Sequence, residues 1–284
     1  MQFYPAGEVI TRRLLDLPLG QMEWVITGAD ADRLIASGFQ HHPKDETRFI
    51  HPDSGDVYQL ARRQYLDQQT GLVRYHCDHG VSLVNELESR ALTILAMASD
   101  GDDIVDPLDG QEDLIDGVLR YASPYYDHVP QNLLITALWA ATLKQWGFRI
   151  THGTFSRMKK MVGSGSVQQL TRDEISDAAL RVMTTSRPSE FFRVLYRCGA
   201  LRLISAEMNE LLDQAENGRP QKGKSHEDGN NLPDSLKSLD RAAAETDNVS
   251  TLLKQWHAAL GNIADVVFTS FGLQALFERR DDAG

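Results

Sequence analysis

MQFYPAGEVITRRLLDLPLGQMEWVITG, residues 1–28, is the stretch whose reading decides the fold. Residues 2–6 read as a short strand stopped by Pro5 and Gly7. Glu8 to Leu17 then carries Val9, Leu14, Leu15 and Leu17 at helical spacing, and Trp24 to Gly28 is a second apolar strand. Gln21 and Glu23 stand just before and at the start of that strand, two residues apart and therefore on one face. A strand, a glycine turn, a helix and a second strand in immediate succession predict an α+β unit rather than a bundle.

Outward from this opening, the pattern alternates and then changes. Asp30 is placed to cap a helix over residues 31–37. Residues 48–52 and 57–63 read as strands joined by the turn Asp53, Ser54, Gly55 and Asp56. Residues 80–98, GVSLVNELESRALTILAMA, read as one amphipathic helix, and Asp106 to Leu114 as a strand exit, turn and helix start in which Gly110 supplies unusual backbone angles. From 133 to 202 the chain is helical throughout, with Trp139, Leu143 and Trp146 read as core and Thr171 as a cap. Residues 214–232 read as a linker, followed by two helices over 234–260 and 262–280.

With 284 residues and 42% apolar side chains, the chain can bury ordinary cores without staples. Two cysteines, Cys77 and Cys198, make no disulfide framework, so a reducing compartment is the default. No apolar run is long enough for a membrane span and no basic-then-apolar export pattern opens the chain, which predicts a cytoplasmic protein without a membrane partner. The net charge of -11 argues against generic polyanion binding. Its distribution is uneven: residues 1–143 carry 10 Lys/Arg against 22 Asp/Glu, 144–202 carry 11 against 4, and 203–284 carry 8 against 14. The middle segment is the candidate electrostatic footprint for RNA.

Taken in order, these runs resemble the class II tRNA nucleotidyltransferases, the CCA-adding enzymes, and the related bacterial poly(A) polymerases. The family opening reads roughly G-G-x-V-R-D, x-L-L-G-L-P and D-x-D-W/F. Here the same places hold Gly7-Glu8-Val9-Ile10-Thr11-Arg12, Leu14 to Pro18 and Gln21-Met22-Glu23-Trp24. Further on, Ser89 to Ala96 resembles R-R-D-F/L-T-I-N-A, Asp106 to Leu114 closely matches D-P-x-x-G-x-x-D-L, and Pro188 to Leu201 matches P-x-x-F-F-x-V-L-x-x-C-G-A-L. The resemblance covers about residues 1–212. It implies a nucleotidyltransferase head of the DNA polymerase beta type with a mixed sheet at residues 1–122, a helical neck at 123–212, a linker at 213–232 and a helical tail at 233–284.

The resemblance also implies what has changed. The family's Asp-x-Asp pair and a third carboxylate on the neighbouring strand hold two magnesium ions; the matching positions are Gln21, Glu23 and Val57, so Glu23 alone keeps a charge for a metal. Of the vestigial nucleotide-binding positions, Gly7 remains, Glu8 replaces the second phosphate glycine, Arg90 and Thr93 persist, and Leu95 stands where the family has Asn. Asn132, with Val129 and Ile135, occupies the base-reading run. The expectation is a catalytically inactive homologue, without a cofactor, that binds tRNA or another RNA through Lys144, Arg149, Arg157, Lys159 and Lys160, or binds a protein partner or a second copy. One alternative is an active transferase using Glu23, Asp56 and one magnesium; another is a structural subunit of a catalytic relative. Cys198 is expected to be buried packing, and His76-Cys77-Asp78-His79 too isolated for a metal site; Ala258 and Ala259 fit equally a worn remnant of the His-Asp pair of a phosphohydrolase domain found in some relatives and a simple helix-turn-helix tail.

Overall fold

Gln2–Pro5 (β1), Glu23–Thr27 (β2), Gln40–His42 (β3), Asp45–Ile50 (β4) and Val57–Leu60 (β5) form one mixed sheet in the order β1-β2-β5-β4-β3. The computed structural model describes residues 1–43, 45–217 and 232–274. β2 runs antiparallel to β1 and parallel to β5, and the register sets Glu23 beside Val57 and Trp24 beside Tyr58. The parallel pair needs a crossover. Helix Ala31–Ala36 lies within it, capped by Asp30, whose carboxylate accepts the Arg33 N–H at 2.9 Å.

Because strand side chains alternate, adjacent β2 residues feed opposite cores. Val25 packs with Tyr4, Ala6, Val81, Leu87 and Ala98. Ile26 packs with Leu34, Phe39, Phe49 and Leu60 on the other face. The first helix, Glu8–Leu14 (α1), is shorter than its periodicity suggests, since Asp16 turns to a φ of 51°. Helix Ala31–Ala36 is α2.

Three sequence expectations are corrected in this part of the chain. The strand over 57–63 is two strands: β5 ends at Leu60, and Arg63–Leu66 (β6) turns away to pair with Val73–His76 (β7). Residues 80–98 are not one helix. A five-residue helix, Leu83–Leu87 (α3), ends where the Ser89 hydroxyl donates to the Glu86 carbonyl at 2.7 Å. The chain then turns through Thr93–Leu95 into Ala98–Asp100 (β8), paired with Asp103–Val105 (β9). Ala91, Leu92, Ile94, Leu95, Ala96 and Met97 are all buried, and a run buried on every side mimics helical periodicity. Gly110 opens helix Gly110–Asp116 (α4), but the left-handed residue is Asp109, at φ 55°. Gly110 is needed for space, because a Cβ there would lie 2.4 Å from the Thr93 carbonyl oxygen.

The chain divides into two compact units, Met1–Val129 and Pro130–Gly284. The second is helical: Gln131–Leu143 (α5), His152–Gly163 (α6), Arg172–Val182 (α7), Ser189–Cys198 (α8), Leu201–Ile204 (α9), Ala206–Asn217 (α10), Asp234–Glu245 (α11), Val249–Leu260 (α12) and Ala264–Ser270 (α13). Thr171 caps α7 in a reciprocal capping box with Glu174. α5 packs on α7 and α8, and Phe192 of α8 meets Trp256 of α12 at 5.2 Å and Phe271 at 5.1 Å, so the last helices share the core of the earlier ones. Cys198 is buried there as expected, and burial pushes its thiol up to about 11.

Here too the sequence reading needs correction. Trp146 is exposed rather than core. α10 continues to Asn217, past the expected start of the linker, and residues 218–231 lie outside the described residues. The helix over 234–260 is broken between α11 and α12, where Asn248 caps α12 by accepting the Thr251 N–H at 3.1 Å. The expected helix to residue 280 ends at Ser270, and residues 275–284 lie outside the described residues. Ala258 and Ala259 are exposed on α12.

Candidate functional site

β1 delivers the chain to Gly7, β2 begins at Glu23, and the turn after α3 places Arg90 between them. Gly7 adopts φ 73° and ψ -131°, a conformation for which glycine is suited, and its N–H donates to the Met97 carbonyl at 2.8 Å. A Cβ on Gly7 would lie 2.8 Å from both Arg90 Nη1 and Glu23 Oε2. Three groups that are distant in sequence therefore meet at one point.

Arg90 is the centre of a row of charges. Its Nη1 donates to Glu23 Oε1 at 2.8 Å, and its Nε lies 3.0 Å from Glu86 Oε1. Glu86 is fully buried; its other oxygen accepts the Arg62 backbone N–H at 3.1 Å and faces Arg62 Nε at 3.4 Å. Arg62 continues to Asp45 at 3.8 Å and lies 4.3 Å from the Tyr75 ring centre. Burial works against the Arg90 charge, but Glu23 and Glu86 outweigh it and hold its pKa above the ordinary guanidinium value. Burial pushes the Glu86 carboxyl up, against the opposing pull of Arg62 and Arg90. Side-chain exposure is 11% for Arg90 and 26% for Glu23, so Arg90 is largely enclosed.

The other expected site residues distribute as follows. Gln21 is exposed just ahead of β2, and Val57 stands beside Glu23 in register, presenting a hydrocarbon where a third carboxylate would complete a metal cradle. Asp56 lies in the preceding turn, its N–H on the Ser54 hydroxyl at 3.2 Å. Glu8 turns along its own helix to Arg12, at 2.7 Å. Thr93 does not join the site: it is buried, and its hydroxyl donates to Asp113 Oδ2 at 2.6 Å. Asn132 is buried on α5, in the other unit.

Magnesium, which the resemblance implies, needs anionic oxygens in near-octahedral order. The residues present do not fit it: Gln21 is neutral, Val57 is apolar and Glu23 is already paired with Arg90. Among the described residues, no group of three or more His, Cys, Asp or Glu side chains is placed to hold a metal, the cluster at His76 to His79 included. There His76 Nε2 and Asp78 Oδ2 pair at 2.6 Å, and burial pushes the Cys77 thiol up to about 11.

In the helical unit, Lys159 and Lys160 are exposed on α6, and Lys159 Nζ lies 5.0 Å from the Phe155 ring centre. Arg197 of α8 approaches the same ring at 5.5 Å. Lys144 is held by Glu190 at 3.4 Å, Arg149 is exposed, and Arg157 is half-buried on α6. Sequence reasoning passed over Glu86, Arg62 and Arg197. The spacing of Glu86 and Arg90, four residues apart with the acid first, is a signal that could have found that pair.

No family model matches the chain. A multifunctional CCA protein of Neisseria meningitidis serogroup A is 36% identical over 246 residues, which cover 86% of this chain and 57% of that protein. The chain thus spans a little over half the length of the curated relatives it matches. Among solved structures, the apo form II of a CCA-adding enzyme superposes with a TM-score of 0.63 at 16% identity, covering 98% of this chain and 64% of that one. A tRNA nucleotidyltransferase complexed with a primer tRNA and an incoming ATP analog gives a TM-score of 0.54 at 18% identity, with 99% and 84% covered.

Proposed function

We propose that this chain, which belongs to the family of the CCA-adding tRNA nucleotidyltransferases, does not transfer nucleotides at its own head site and acts by binding RNA. The observation that carries the reading is the pairing of Arg90 with Glu23 beside Gly7. A guanidinium replaces the divalent cation as the partner of the one acidic side chain left at the three metal positions. It supplies charge, but it cannot bind and activate an attacking hydroxyl as a metal does. Losing a metal pair removes several kcal/mol of transition-state stabilisation, and each ~1.4 kcal/mol is tenfold in rate.

The RNA half of the reading rests on the basic excess of residues 144–202 and on the exposed Lys159 and Lys160 of α6. Cations on one face neutralise phosphates and release counterions, the main source of sequence-independent affinity. No helix among the described residues is long and apolar enough to cross a membrane. With both cysteines free, a cytoplasmic setting is part of the proposal.

The test is incorporation of labelled CMP or AMP into tRNA in the presence of magnesium or manganese, paired with a salt titration of tRNA binding. The expected result is binding that weakens steeply with salt and no incorporation above a no-enzyme control. Sustained turnover would overturn the inactive reading, and salt-independent or absent tRNA binding would overturn the RNA reading.

A further inference from the structure

Within the helical unit, a cleft of about 520 Å³ opens between α11, the segment leading into α8 and the turn after α5. Its polar lining is Gln145, Ser186, Arg187, Lys237, Asp240 and Arg241. Lys237 and Arg241 are four residues apart on α11, so they share a face, and Arg187 comes from the facing segment. Like charges at this helical spacing repel, and nothing in the lining offsets all three.

The nearby carboxylates offset the cleft's charge only in part. Asp240 is buried and shares its charge between Ser189 and Arg187: Oδ1 accepts the Ser189 N–H at 3.0 Å, and Oδ2 accepts the Ser189 hydroxyl at 2.7 Å while facing Arg187 Nη1 at 3.7 Å. It serves as the cap of α8, supplied from α11. Asp234 pairs with Lys237 at 3.0 Å, but it is 99% exposed, and such a pair is weakened by water. Among the described residues Arg241 has no ion pair, and the Ser186 hydroxyl is buried without a hydrogen-bond partner. The result is a concave site rich in donors, with a surplus of positive charge and no competing free carboxylate in its lining.

We infer that this cleft is a binding site for a phosphoryl anion, with Lys237 and Arg241 on one wall and Arg187 on the other as its charged donors. The volume exceeds what a lone phosphate needs and admits an attached sugar. Guanidinium donors suit phosphate oxygens through paired N–H groups, while a lysine acts as a point charge. The site lies wholly within residues 130–284, so it stands or falls apart from the proposed loss of chemistry in the head. The anion can come from an RNA backbone or from a free phosphorylated molecule.

The experiment compares the full chain with a Lys237→Gln/Arg241→Gln variant, using inorganic phosphate by calorimetry and fluorescently labelled tRNA by anisotropy. Both positions lie on the exposed side of α11, and a thermal melt verifies that the variant folds. If RNA is the source, the slope of log affinity against log salt falls by about one for each cation removed. If a free phosphate is the source, the calorimetric signal of the parent disappears in the variant. Arg241→Lys, which keeps the charge, should retain part of whichever signal is found. Failure of the parent to bind either probe, or equal binding by parent and double variant, would overturn the inference.

Discussion

The turn that starts α4 and the site at Gly7 lie in the same unit and use the same materials, carboxylate, arginine and glycine, in different ways. At the turn, Asp106 accepts the N–H groups of Gly110 at 2.8 Å and Gln111 at 2.9 Å, and Asp113 binds both Thr93 and Arg120. Every one of those partners is the chain itself. At the site, Gly7, Glu23 and the neighbouring Gln21 and Val57 occupy positions that in the resembling enzymes face a ligand, and here Glu23 is joined to Arg90. Around the turn Asp106, Gly110 and Asp113 keep the resembling pattern, while at the site Gly7 keeps it and Gln21, Glu23 and Val57 depart from it. A residue whose hydrogen bonds are made within the fold is held by stability, while a residue whose partner is a metal or nucleotide is held by chemistry alone.

The comparison can be broken most directly at Arg90. Arg90→Leu leaves Glu86 fully buried with one cation fewer and should cost about 3–5 kcal/mol in denaturant unfolding. A cost near zero would mean that the charge row is not a closed internal structure. Gly110→Ala should cost about 3 kcal/mol, because the new Cβ meets fixed backbone at Thr93. Gly7→Ala should cost less, about 2 kcal/mol: the atoms it meets are side-chain tips, and the penalty is the backbone conformation. Reversal of that order would sink the distinction between the two glycines. Asp113→Asn should cost about 1.5 kcal/mol, since it weakens charge-assisted bonds to a half-exposed Arg120.

The smallest expected effect is a pH dependence at the outer end of the charge row. Burial pushes the Asp45 carboxyl up, but the Thr47 hydroxyl and N–H, with Arg62 and Arg48, outweigh it and leave its pKa below 3.8. The folded state thus binds that proton less readily than the unfolded chain. Its stabilisation is present above 3.8 and is lost as pH falls through the lower folded value. Unfolding free energies measured across this acid range should fall less steeply for Asp45→Asn than for the parent; equal slopes would remove Asp45 from the row.

Much of the architecture was legible in the sequence because its signals are local. The opening strand, helix and strand, the Asp30 cap and the Thr171 capping box each depend on residues within a few positions of one another. The strands β3, β7 and β8 escaped notice because they are short and take their definition from a partner strand. The false helix over 80–98 arose from apolar residues that are buried from several sides at once.

Sequence by itself determined the opening strand, helix and strand, the amide at Gln21 and hydrocarbon at Val57, and the glycine at the turn, since residue type and short-range spacing suffice for each. Tertiary structure alone decided where Arg90 points, that Thr93 belongs to Asp113, and that α11 caps α8 beside a cleft lined by Arg187, Lys237 and Arg241. Glu23 and Arg90 are 67 positions apart, and Ser189 and Asp240 are 51 apart. Contacts of that range are set by how whole elements pack, which the pattern along any one element does not contain.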